Sequence, residues 1–174
     1  MVLELKAPHA VELAALKPML PVLLSYVLSF IYIGIYWNNH HHLFQITERV
    51  SGGILWANLH LLFWLSLFPF TTAWMGQNHL AAIPTAIYGF VLLMAALAFT
   101  VLERTIIAKE GRQSALALAI SGDWKRKLSP ALYVIAVPLA FVNPWIASAG
   151  YVLVALIWLI PDPRIARELE KRRQ

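Results

Sequence analysis

The longest uncharged stretch of the chain is the feature that most constrains its fold. Residues 50–102, 53 positions in a row, contain no Asp, Glu, Lys or Arg. A helix rises about 1.5 Å per residue, so about 20 residues already cross a hydrocarbon layer about 30 Å thick. The stretch is too long for one buried helix and predicts two membrane-spanning helices joined by a short turn. The chain is therefore expected to be an integral membrane protein.

The composition agrees with this interpretation. Of 174 residues, 60% are hydrophobic and 13% are charged, whereas soluble domains carry about 25% charged residues. The length fits a single domain, residues 1–174. Because the chain has no cysteine, disulfides and Cys-based zinc or redox sites are excluded. The net charge of +5 does not indicate nucleic-acid binding, since the basic residues cluster beside hydrophobic segments.

Three uncharged blocks predict an all-α membrane protein with about five spans. Pro69 lies inside the second span and predicts a kink there, and Gly76 to Asn78 predict the turn that follows. Asn143-Pro144 predicts a turn that makes the last two spans a short helical hairpin, in preference to one long kinked helix. The predicted spans are residues 19–37, 53–74, 80–102, 130–142 and 145–160.

The basic residues predict the orientation of these spans. The loops 38–52 and 104–127 and the tail 162–174 hold 12 of the 14 Lys and Arg residues, so this side is predicted to be cytoplasmic. The protein is then a multi-pass protein of the cell membrane with a cytoplasmic C-terminus. The basic loop and tail are expected to contact anionic lipid headgroups. Residues 1–17 would lie outside, and their apolar start raises the expectation that a first span is missing.

A cluster of polar residues ends the first span. Trp37, His40 and His41 share one helical face, with Asn39 beside them. Two interpretations stay open: a hydrogen-bonded network that joins helices near a pore, and a simple cap at headgroup level. A metal site is less favoured, because adjacent histidines point in different directions and no carboxylate or Cys is near.

Asn58 and His60 are polar residues inside a predicted span. His60 is ionisable, which makes it a functional candidate, but a neutral His bonded across a helix interface is slightly favoured. The spans contain no Asp, Glu, Lys or Arg, so ion-coupled transport, voltage sensing and catalysis have little support. A passive pathway through an apolar constriction is compatible with these absences.

Four segments of the chain resemble the bacterial relatives of the lysosomal potassium channels, a six-span family. The most specific is the Trp-x-x-His-His element that begins at Trp37. The resemblance covers nearly the whole chain through residues 3–8, 35–41, 68–73 and 135–141. It implies a non-enzymatic, tetrameric, potassium-permeable leak channel that also conducts protons in some members, with K⁺ as the permeant ion and no cofactor.

The same resemblance implies a pore lined chiefly by the first family span. That span carries a Phe-Ser-x-x-x-Asp signature, which does not occur in this chain. The constriction residues are therefore unassigned, and Trp37 with His40 or His41 would be the receiving half of the family network. The alternatives are a non-conducting structural or assembly subunit, or a truncated fragment. A membrane-embedded enzyme or metal-binding protein that uses the His cluster is a weaker third candidate.

Overall fold

The protein is described by a computed structural model over residues 17, 19–45, 47, 49–111, 113–114, 116–117 and 124–159. This part of the chain is helical and contains no strand. The six helices are α1 (Leu20–Gln45), α2 (Gly52–Ser66), α3 (Phe68–Gln77), α4 (Ala82–Glu110), α5 (Trp124–Val142) and α6 (Pro144–Leu159).

Three segments are long and apolar enough to cross a membrane: Val22–Gln45, Gly52–Gln77 and Ala82–Glu110. The second of these is the combined length of α2 and α3. A fourth apolar helix, Pro144–Leu159, is shorter. The all-α membrane fold expected from the sequence is confirmed. The basic tail and residues 1–16 lie outside the described residues, so the predictions about them are unchanged.

A break at Leu67 divides the second uncharged segment. Leu67 has φ −81° and ψ −13°, and α3 starts at the next residue with Pro69 in its first turn. Proline is tolerated there because the first N–H groups of a helix have no intrahelical partner. The helix is thus interrupted two residues before Pro69, while the kink predicted there stays a prediction.

The turn between α3 and α4 lies slightly later than the predicted Gly76–Asn78 patch. His79 and Leu80 have positive φ angles of 48° and 59°. The Leu80 N–H donates to the Met75 carbonyl at 3.1 Å, which satisfies an acceptor at the end of α3.

The last two helices form the predicted hairpin, with the turn at Asn143. The Asn143 side chain accepts a hydrogen bond from the Trp145 N–H at 2.9 Å, which caps the start of α6. However, α5 begins at Trp124, six residues before the predicted span, and α4 continues to Glu110. The loop predicted over 104–127 is therefore helical at both ends. Its charged residues are good helix formers, and Pro130 interrupts only one backbone bond.

Helix α4 is the centre of the bundle. It packs against α2, α3, α5 and α6, whereas α1 packs mainly against α3 and also contacts α6. We call one end of the bundle the His40 end, where α1 and α4 finish and α2 and α5 begin. The core is built from fully buried side chains, among them Ile54, Leu61, Phe68, Tyr88, Leu92, Leu102 and Tyr151.

Candidate functional site

The predicted polar cluster contains one bond between helices. The His40 Nε2 lies 2.7 Å from the Asn58 Oδ1 and so joins α1 to α2. Because an amide oxygen only accepts, His40 donates this bond from Nε2, which fixes its neutral tautomer. The His40 ring also packs on Phe44, with ring centroids 4.6 Å apart. Two residues that the sequence analysis treated separately, His40 and Asn58, thus form one contact.

Trp37, Asn39 and His41 make their contacts within α1. The Trp37 and His41 rings stack 5.5 Å apart, and both side chains are exposed. His41 also lies 2.8 Å from the Gln45 amide nitrogen. The Asn39 amide donates to the Ile35 carbonyl at 2.8 Å. A role for these three residues in joining helices near a pore stays a prediction.

His60 lies on the outer surface of α2. Its Nε2 accepts a hydrogen bond from the Trp64 indole N–H at 2.9 Å, one turn further along the same helix. The partner on another helix that the sequence analysis favoured is not found among the described residues of one chain.

A cluster of buried hydroxyl groups near the middle of the bundle was missed by the sequence analysis. The Ser29 hydroxyl contacts the Thr72 hydroxyl and lies 3.2 Å from the Tyr88 hydroxyl. This contact joins α1, α3 and α4. The signal that could have revealed it is the spacing of Ser25, Ser29 and Tyr32, which fall on one face of α1 and are all buried.

A second set of hydroxyl groups joins α1, α4, α5 and α6. The Tyr133 hydroxyl donates to the Tyr32 hydroxyl at 3.1 Å, and Tyr32 in turn donates to the Tyr151 carbonyl. The Tyr151 hydroxyl donates to the Thr85 carbonyl at 3.2 Å. A Cβ at Gly89 would overlap the Tyr151 ring and hydroxyl, so glycine at this position allows the approach of α6 to α4.

A buried ion pair lies toward the His40 end. Glu103 of α4 pairs with Arg126 of α5, and the Glu103 side chain is almost fully buried. Nearby, the Trp158 indole N–H donates to the Ser129 hydroxyl at 2.7 Å. These four residues line a cavity of about 50 Å³, which has room for a few water molecules. Its other lining residues include Tyr32, Tyr36, Asn39, Phe99, Thr100 and Tyr133.

The donor set for a metal is not assembled in the described part of the chain. No group of three or more His, Asp or Glu residues there could hold a metal ion. The polar contacts described above join helices through hydrogen bonds and the Glu103–Arg126 ion pair. This arrangement is suited to holding a bundle together in a membrane, where polar groups need protein partners.

The fold and these contacts define an α-helical, multi-pass membrane protein. A family model described as endosomal/lysosomal potassium channel TMEM175 matches residues 1–69, which include all six site residues predicted from the sequence. A protein of Chryseobacterium sp. (strain P1-3), described as a potassium channel, is 54% identical over 171 residues, 98% of this chain and 89% of that relative. The chain therefore belongs to the TMEM175 potassium channel family.

Two further relatives are more distant. A protein described as a potassium channel of Streptomyces collinus is 32% identical and aligns over 91% of this chain and 82% of its own length. Another, of Chamaesiphon minutus, is 27% identical over 91% of this chain and 83% of its own length. No solved structure matches the chain.

Proposed function

We propose that the protein is a subunit of a passive, potassium-permeable membrane channel. The observation that carries this proposal is the 54% identity to a protein described as a potassium channel, over 98% of the chain. The absence of Asp, Glu, Lys and Arg from residues 50–102 also supports it, because transporters driven by a coupled ion usually place a carboxylate near the membrane midplane. Channel-type transport is not an enzymatic function.

The assembly, location, permeant ions and gate that we propose are those implied by the resemblance to the family. We propose a homo-oligomer, a tetramer, in the cell membrane with a cytoplasmic C-terminus. Potassium is the permeant ion, with proton permeability as an additional property and an apolar constriction as the gate. The basic loop and tail contact anionic headgroups. Cofactors have no part in this mechanism.

The surface of α1 and α2 is compatible with assembly into an oligomer. Large apolar side chains are exposed there in a single chain, among them Leu24, Phe30, Trp37, Trp56 and Phe63. Lipid can cover such residues, but so can a second copy. Exposed apolar area of this extent marks either a membrane-facing surface or a protein interface.

The test is ion flux into liposomes that contain the purified chain, with size-exclusion chromatography to confirm a folded oligomer. We expect K⁺ flux above Na⁺ flux, without dependence on a coupling ion, and no flux in protein-free liposomes. A well-folded oligomer that carries neither ion would overturn the channel proposal. It would favour the alternative, a non-conducting structural or assembly subunit.

Two variants sharpen this test at the His40 end. His40→Ala removes the bond to Asn58 on α2, whereas His41→Ala removes a contact within α1. If the network near the pore is formed through His40, the first variant changes the flux more than the second. Equal flux in the two variants would argue against a role for the His40–Asn58 bond.

A further inference from the structure

His60 is exceptional among the side chains on the outer surface of the helices. Within the described residues of the five predicted spans, it is the one ionisable side chain that is exposed. Its Nε2 accepts the Trp64 N–H, so in the neutral imidazole the proton is on Nδ1. The His60 side chain is exposed, and the Nδ1–H donor has no partner within the described chain.

Lipid hydrocarbon cannot accept this hydrogen bond. An unpaired polar group in the bilayer interior is costly, and ionisable residues there almost always face protein or water. His60 is seven residues beyond Gly53, or about 10 Å along α2. The partner of the Nδ1–H group at this depth is therefore either water or a protein surface that supplies a hydrogen-bond acceptor.

The outer face of α5 has an acceptor of this kind. Pro138 has no N–H, so the carbonyl of Val134, four residues earlier, loses its α-helical partner. Val134 and Pro138 are both exposed, as are Ile135 and Phe141 on the same face. The face is apolar, with one backbone carbonyl that has lost its α-helical donor.

The donor and the acceptor lie at similar depths. Gly53 at the start of α2 is beside Thr105, and Arg126 at the start of α5 pairs with Glu103, two residues away from Thr105 on α4. Val134 is eight residues beyond Arg126, or about 12 Å along α5. The starting points of these two distances, Thr105 and Glu103, are two residues or about 3 Å apart along α4. Measured along the bundle, the depths of His60 and Val134 therefore differ by less than about one helical turn.

We propose that the His60 face of α2 in one copy packs against the Val134–Pro138 face of α5 in a second copy. Within one chain α2 and α5 both pack on α4 and not substantially on each other, so each face is available to another subunit. A contact between two different faces is heterologous, and repeated contacts of this kind form a ring when the rotation between copies closes. The inference rests on the homo-oligomer of the proposed function and adds the surfaces that build it.

Cysteine cross-linking tests the contact directly, because the natural chain has no cysteine. The double variant His60→Cys/Val134→Cys is oxidised in membranes, and the ladder of disulfide-linked species is measured by non-reducing electrophoresis. We expect dimers and larger species. The matched control is His60→Cys/Val152→Cys, since Val152 is similarly apolar and exposed but lies on α6. We expect no ladder from it.

Several outcomes would overturn the interface. A monomeric protein, or a folded oligomer without the ladder, would do so. A ladder from His60→Cys alone would also do so, because it indicates a twofold contact. Rapid labelling of His60→Cys by a charged thiol reagent would indicate an aqueous surface instead of a protein interface. Ion flux measured on the wild-type protein shows whether the proposed interface alone is wrong or the channel proposal is wrong as well. A conducting oligomer without the ladder would leave the function intact and remove only the interface.

A second measurement tests the contribution of the His60 hydrogen bond to the stability of the oligomer. His60→Gln retains an N–H donor, whereas His60→Leu removes it and keeps an apolar side chain. On dilution in detergent we expect the Leu variant to dissociate about threefold more readily than the Gln variant, the size of a typical hydrogen bond between membrane helices. Equal dissociation of the two variants would contradict the proposed bond.

Discussion

The bundle has a densely packed side and a sparsely packed side. In α4, 56% of the most apolar 18-residue window is buried, compared with 17% in α1 and 22% in the α2–α3 segment. The family model matches residues 1–69, and the described part of this range includes α1 and α2 on the sparse side. The packing within one chain is therefore centred on α4, while the part that carries the family match leaves its surfaces open.

The difference follows from the side chains of the two regions. The buried face of α4 includes small residues such as Ala86, Gly89, Ala95 and Ala98, which let neighbouring helices approach closely. By contrast, α2 buries only Ile54, Ala57 and Leu61, and most of its large apolar residues are exposed, among them Trp56 and Phe63. Small buried residues therefore favour close packing around α4, whereas α2 presents mostly bulky side chains on its surface.

The largest predicted effect is on the ion pair of the dense side. Arg126→Ala leaves the buried Glu103 carboxylate without its ionic partner and is expected to cost about 3–5 kcal/mol in the free energy of unfolding. Thermal unfolding in detergent measures it. The double variant Glu103→Leu/Arg126→Met should recover most of the loss. The control is Arg104→Ala, a change at an exposed position. If Arg126→Ala lowers the free energy of unfolding no more than this control, the Glu103–Arg126 pair does not stabilise the fold.

Two glycines compare the dense and sparse sides directly. Gly89→Ala would force a Cβ into Tyr151 and is expected to destabilise the fold by about 3 kcal/mol, the upper end of overpacking effects. At Gly34 of α1 a Cβ meets nothing within 4 Å. Gly34→Ala should therefore stabilise by up to about 1 kcal/mol through helix propensity. Chemical unfolding of both variants tests this contrast, and effects of the same sign would refute it.

The buried hydroxyl groups should give a smaller effect. Tyr32→Phe removes the acceptor for the Tyr133 hydroxyl and the donor to the Tyr151 carbonyl. A loss of about 1–2 kcal/mol is expected from the unpaired groups. The control is Tyr26→Phe on the same helix, where Tyr26 is half-buried. Its change should stay below about 0.5 kcal/mol. Similar unfolding midpoints for the two variants would mean that the hydroxyl contacts add no stability.

The smallest predicted effect concerns the sparse side, at the bond between His40 and Asn58. A double-mutant cycle of His40→Ala and Asn58→Ala should give a coupling energy of about 0.6 kcal/mol. The same cycle with His41 in place of His40 should give a value near zero. Unfolding free energies of the single and double variants measure both cycles. A larger coupling energy between His41 and Asn58 than between His40 and Asn58 would mean that His41, and not His40, joins α1 to α2.

The helical segments could be predicted because their signals are local. The uncharged length of residues 50–102 and the positions of Pro69 and Asn143 determine helices and breaks without reference to distant parts of the chain. The start of α5 at Trp124 was missed. The predicted span began at Pro130, but a helix can continue through a proline at the cost of one backbone bond.

The contacts of the site were less accessible to sequence analysis. The spacing of His40 and His41 marked the right region, but it could not show that His40 alone reaches Asn58. Glu103 and Arg126 are 23 positions apart, and their meeting depends on how α4 and α5 pack. The buried serine and tyrosine residues lie within apolar helices and do not interrupt the hydrophobic pattern, so the sequence gives little signal for their contacts. In a membrane, a buried hydroxyl also needs a partner, and it is an equally informative residue.

The break at Leu67 gives one transmembrane segment two sets of neighbours. The α2 half packs mainly against α4, whereas the α3 half packs mainly against α1 and also against α4. A substitution in this segment should therefore disturb a different part of the bundle according to its side of the break: Asn58 and His60 lie on the α2 half, and Thr72 lies on the α3 half.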